Sequence, residues 1–169
     1  GIGAGVAALG FRMGISALQS FLYGIDDPAM LHSFAETLDW YWIVGLPIVG
    51  GLVVGLILHF FTDDARVRSV ADVIEGAALY EGRVEKRAGL ASAAASLITL
   101  SSGGSSGREG PVVHLASLIS SWVSDRINAD GITGRELMGC AVAAGVSASF
   151  NAPIAGALFA MEVVLRHFA

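Results

Sequence analysis

The residues with chemistry to offer gather in one stretch, Ser101 to Pro111, which reads Ser-Ser-Gly-Gly-Ser-Ser-Gly-Arg-Glu-Gly-Pro. Small residues let the backbone bend where other groups come close. Arg108, Glu109, Gly110 and Pro111 then stand where a helix should begin, and proline is at home in a first turn. The unpaired N–H groups and partial positive charge of such a start hold an anion. Glu109 sets a carboxylate beside that place, so a tethered anion can occupy the position of a dissolved one. Glu162, inside a late apolar run, is the other acid in a costly position. It either pairs with Arg166 one turn on or serves a proton or water path.

Other chemistries fit less well. A phosphate-binding P-loop ends in Gly-Lys-Ser/Thr, whereas Gly107-Arg108-Glu109 puts an acid where phosphate charge would sit. Ser105 or Ser106 as a nucleophile has no His or Lys in a motif-like relation. The four histidines are scattered, and the single cysteine, Cys140, excludes an internal disulfide or a cysteine metal cluster. No metal or cofactor is expected. Cys140 reads as a small packing residue, and His114 as structural or as a source of pH sensitivity.

The elements that must position this loop are apolar. Hydrophobic residues make up 54% and charged residues 15%, with mean hydropathy +0.66. A soluble domain is about 25% charged, so a membrane protein is indicated. The net charge of −5, without a basic patch, gives nucleic acid no footing. The opening Gly-Ile-Gly-Ala-Gly does not read as a signal peptide. The chain is expected to be an excerpt of a longer membrane protein.

Gly1 to Tyr23 is long enough to span a bilayer, with Arg12 snorkelling or facing protein. Asp26-Asp27-Pro28 marks a loop, followed by a short helix over Ala29 to Leu38. Trp40 to Phe61 is uncharged, with aromatic residues at both ends, a proline at Pro47, and Gly45, Gly51 and Gly55 as close-packing candidates. Residues 62–87 carry most of the cations, which places them on the cytoplasmic side and loop 24–39 outside. A short helix is expected from Val70. Ala88 to Leu100, Val112 to Val123 and Gly134 to Phe150 are apolar but short, the pattern of broken helices meeting inside a membrane protein. Gly139, Ala143 and Ser147 share a face on which another helix can pack. Asn151-Ala152-Pro153 ends that helix, and a new one runs from Ile154 to Phe168.

Gly107-Arg108-Glu109-Gly110-Pro111, followed some forty residues later by Phe150-Asn151-Ala152-Pro153-Ile154-Ala155-Gly156-Ala157-Leu158-Phe159-Ala160-Met161-Glu162, resembles the CLC family of chloride channels and chloride/proton antiporters. The resemblance covers about Arg66 to Phe168. It implies an all-α integral membrane fold, with residues 1–169 forming a single incomplete domain. That domain would be most of the first of two inverted repeats, with tilted, broken helices and the second repeat absent. Glu109 would be the gate, displaced from the pore when protonated, with Arg108 and Gly110 in the outer anion path. The family's inner anion loop, Gly-Ser-Gly-Ile-Pro, aligns with either Arg68 or Ser69 in the serine's place. The antiporters' second acid falls on Val163, which favours a channel, with an exchanger as the alternative and a non-conducting scaffold as a remote one. The implied partners are chloride, the lipid bilayer and a second subunit contacted through helix 154–167. The expected location is the cell (inner) membrane, multi-pass.

Overall fold

The computed structural model describes residues 1–24, 39–107 and 109–165. The expected helix over Ala29 to Leu38, together with Arg108 and Arg166, lies outside them. Every regular element among the described residues is helical: α1 (Ile2–Tyr23), α2 (Trp40–Phe61), α3 (Val70–Leu79), α4 (Lys86–Ser101), α5 (Glu109–Arg126), α6 (Gly131–Phe150) and α7 (Pro153–Phe159), which runs into a π-turn (Ala160–Val164).

α1 and α2 have 22 residues each. At 1.5 Å per residue each reaches about 33 Å, enough for a hydrocarbon core of about 30 Å. Both are apolar enough to cross a membrane. α2 stays helical through Pro47 and buries only Gly50 and Leu58. Its other faces, from Trp40 to Phe61, present large apolar side chains outward.

α1 lies across α4, α5 and α6, α2 packs on α4, and α3 packs on α5. The main core joins Val73 and Ala77 of α3, Val113 of α5, Met138, Val142 and Val146 of α6, and Ala160 and Val164 of the π-turn. A second cluster sets Ala8, Phe11 and Ile15 of α1 against Val112 of α5. A third joins Ala4, Ala116 and Ala141. Most of these side chains are small. Helices surrounded by lipid gain little from expelling water from each other, so close van der Waals approach carries the packing.

The expected small-residue face of α6 is used. A Cβ on Gly156 of α7 would strike the Ser147 hydroxyl and stand 2.6 Å from the Ala143 carbonyl oxygen, and one on Gly139 would stand 2.6 Å from Leu165. The expected face of α2 is not. Nothing described approaches Gly45, Gly51 or Gly55, and the close contact falls on Gly50, against Ser102. The reason is geometric: α4 crosses α2 on the Gly50 side. Cys140, read as a packing residue, is exposed on α6.

Boundaries also move. α5 begins at Glu109, within the expected start Arg108 to Pro111, and continues to Arg126, past the apolar run that ends at Val123. α6 starts at Gly131 because Asp130 caps it, accepting a hydrogen bond from the Thr133 N–H at 2.9 Å. The single helix expected after Ile154 is instead α7 and a π-turn, closed by the Leu165 N–H donating to the Ala160 carbonyl at 2.9 Å.

Candidate anion path and gate

α4 ends in a tight left-handed turn. Gly103 has φ +89°, a conformation that costs glycine nothing. The Gly104 N–H then donates to the Thr99 carbonyl at 2.8 Å, in the manner of a Schellman cap. The turn sits beside Tyr23 at the end of α1 and Pro47 in α2, with Ser102 against Gly50. Pro47 and Gly50 lie seven and ten residues into α2 from Trp40. At 1.5 Å per residue the turn therefore stands about 10–15 Å along that helix. Irregular backbone at such a level is tolerated only against protein or an aqueous cavity.

Glu109 opens α5. Its carboxylate folds back over the loop: a Cβ on Gly107 would stand 2.7 Å from Oε2. Glu109 is exposed, Gly110 is half-buried and Pro111 is buried. Among the described residues the Glu109 carboxylate makes no hydrogen bond or ion pair, so it is not seated on N–H groups of its own helix. A turn below, Val112 borders a crevice of about 180 Å³ shared with Arg12 of α1 and Ala148 and Ser149 near the end of α6. Arg12 borders that crevice and is itself exposed.

The segment before α3 is tied by charge. The Ser69 N–H donates to Asp72 Oδ2 at 2.6 Å, and the Ser69 hydroxyl accepts from the Ala71 N–H at 3.3 Å. Ser69 is therefore the cap of α3. The Arg68 N–H donates to the Ser92 hydroxyl at 2.9 Å. Its guanidinium lies 2.9 Å from Asp64 and 3.0 Å from Glu85. Arg66 bridges Asp64 and Asp72 at 3.0 and 2.7 Å. The Arg66 guanidinium beside Asp64, with help from Arg68, holds that carboxyl below its ordinary range. Arg68 and Ser69, the alternative inner anion ligands, thus already have partners within the chain. Glu162 lies in the π-turn and is exposed, on the far side of α7 from the Gly107 loop in chain order. No hydrogen bond or ion pair of its carboxylate or that of Glu109 is found among the described residues.

Sequence reasoning missed two features. One is the Ser69–Asp72 cap, which the Ser-x-x-Asp spacing could have signalled. The other is the crevice beside Arg12, which no local pattern announces.

The family model described as voltage gated chloride channel matches residues 50–169, across α2 to the chain's end. The chain belongs to that family. Among its relatives, a protein of Ralstonia nicotianae described as a putative chloride channel protein ClcB-like is 34% identical over 97% of this chain and 39% of its own length. Proteins described as voltage-gated ClC-type chloride channel ClcB are 30% identical in Yersinia pseudotuberculosis, over 91% of this chain and 37% of that protein. In Escherichia coli the figures are 32%, 97% and 39%. The chain therefore spans well under half the length of these relatives. No solved structure matches it. Helices able to span a membrane and an all-α architecture agree with the family. Of its Gly-Arg-Glu-Gly-Pro motif, Glu109 to Pro111 form the start of α5, after the turn that packs against α2.

Proposed function

We propose that this chain is most of the first repeat of a membrane protein that passes chloride or similar small anions, with Glu109 as the gate. Family membership supports the substrate class. The observation that carries the gate is the carboxylate of Glu109, at the start of α5, unpaired among the described residues and folded over Gly107. An ionised carboxylate there competes with a permeating anion for the same positive helix end. Protonation removes the competition. Its exposure in this chain leaves that side open to the second repeat, which would complete the path.

Val163 in place of a second acid favours a channel over an exchanger. The exposed apolar side chains of Ile154, Leu158 and Met161, at helical spacing on one face, suit a subunit contact in a homodimer. The reading is of a transport protein, not an enzyme. The test is anion flux in liposomes with the full-length protein. Glu109→Gln should raise flux or remove most of its pH dependence. Unchanged flux and pH response would reject the gate. Reversal potential under combined chloride and pH gradients separates channel from exchanger.

A further inference from the structure

The uncharged run of α2 ends at Phe61. A cavity of about 330 Å³ lies at this end, bounded by the last turn of α2, by Asp63 and Ala65 just after it, and by Glu85 and Arg87 where α4 begins. Arg87 donates to the Phe60 carbonyl at 3.2 Å, and its guanidinium stands 5.5 Å from the centre of the Phe61 ring. A carbonyl and a ring face thus hold the cation in place, but among the described residues no acid neutralises it. The neighbouring ion pairs go elsewhere: Lys86 to Asp125, and Glu85 to Arg68. Asp63 likewise makes no hydrogen bond or ion pair among the described residues. One cavity therefore carries a cation and an anion that are both uncommitted and do not meet each other.

Opposite charges held apart suit a ligand that carries both. A simple anion would find Arg87, but also Asp63 and the carbonyl end of α2, where negative charge is disfavoured. A simple cation would find Asp63, but also Arg87. A zwitterion with a phosphate and a primary ammonium answers both walls. The guanidinium fork matches phosphate oxygens, and the carboxylate accepts hydrogen bonds from the ammonium. The level of the cavity selects the source of such a ligand. α2 is long enough to cross a bilayer, so its end falls where headgroups lie. Phe60 and Phe61 are exposed beside the cavity and offer apolar surface to the first part of an acyl chain.

We propose that this cavity holds the headgroup of a membrane phospholipid of the phosphoethanolamine class, with its phosphate on Arg87 and its ammonium on Asp63. The cations of residues 62–87 put the site in the cytoplasmic leaflet. The proposal rests on α2 crossing the bilayer. Neither the gate nor anion passage enters it, so a test that reads bound lipid fails or succeeds independently of the transport reading.

The experiment reconstitutes the full-length protein in vesicles of equal parts phosphatidylethanolamine, phosphatidylglycerol and phosphatidylcholine with the same acyl chains. The protein is then extracted in mild detergent, and its retained lipid is read by native mass spectrometry. Phosphatidylethanolamine should be retained severalfold over the other two. Arg87→Gln should abolish that preference. Asp63→Asn should turn it toward phosphatidylglycerol, because an anionic headgroup then meets the cation without the acid. Arg87→Lys, which keeps the charge and loses the fork, should keep part of it. Arg87 and Asp63 are both exposed, so these variants should fold, as their size-exclusion profiles would show. A phosphatidylethanolamine preference that survives either Arg87→Gln or Asp63→Asn overturns the proposal. So does an unsubstituted protein that retains the three lipids in the proportions of the vesicle. An excess of soluble phosphoethanolamine should leave the lipid in place; displacement would assign the cavity to a soluble zwitterion and overturn the lipid assignment.

Discussion

Asp72 reaches back to the Ser69 N–H, 2.6 Å away, so the start of α3 carries its own carboxylate. The same side chain takes the Arg66 guanidinium at 2.7 Å, and Arg68 stands 3.6 Å off. One acid thus caps a helix and anchors the cationic segment before it.

Asp72→Ala should therefore do two things. Loss of the reciprocal cap should cost about 1 kcal/mol of stability, read as a lower melting temperature of the full-length protein in detergent. Arg66 and Arg68 should become more reactive toward phenylglyoxal. An unaltered melting temperature and unaltered arginine reactivity would show that the cap and the ion pairs contribute nothing.

Acid should loosen the same corner late. Asp64 is held below the ordinary carboxylate range by the Arg66 hydrogen bond first, then by Arg68. A depressed carboxylate contributes stability that is fully present above its unfolded value, about 3.9, and is lost as pH falls through the lower folded value. Melting temperature should be flat in this contribution from neutral pH to about pH 5 and should fall below about pH 4. Asp64→Asn should flatten part of that fall. A fall of equal size in the variant would assign it to other acids.

Two glycines should differ sharply. Gly156→Ala drives a methyl into the Ser147 hydroxyl and the Ala143 carbonyl, an overpacking that typically costs about 1–3 kcal/mol. Gly55→Ala meets nothing within 4 Å in this chain and should leave its helix packing intact. Equal loss of folded protein from both, by size-exclusion profile and melting, would contradict the α6–α7 crossing.

The α2–α4 crossing has its own test. Gly50→Ala should be destabilising because Ser102 fills the space beside Gly50. Ser102→Gly should restore much of the loss when combined with it, a coupling that a double-mutant cycle reads directly. Additive effects would place Gly50 and Ser102 apart.

Much of this was legible in residue order. The uncharged run Trp40 to Phe61 has the length of a bilayer and became one helix. Gly103 after an apolar run marked the turn. The spacing of Gly139, Ala143 and Ser147 announced a face that α7 then covers. The family motif at Gly107 to Pro111 pointed to Glu109 without any coordinates. These are local signals: length, period and the conformational limits of glycine and proline act within a turn or two of the chain.

What residue order could not decide was which of several equivalent surfaces meets which. Gly45, Gly51 and Gly55 were the expected packing face, yet α4 crosses α2 at Gly50. Nor could residue order say that Arg68 would pair with Asp64 and Glu85, or that Ser69 would cap α3 with Asp72. His114 could be read as structural from the sequence, but the sequence does not tell that Gly89, 25 residues before it, makes room for its ring. Pairings between segments distant in sequence depend on helix crossing angles, which arise from the fit of whole faces. No single motif encodes them.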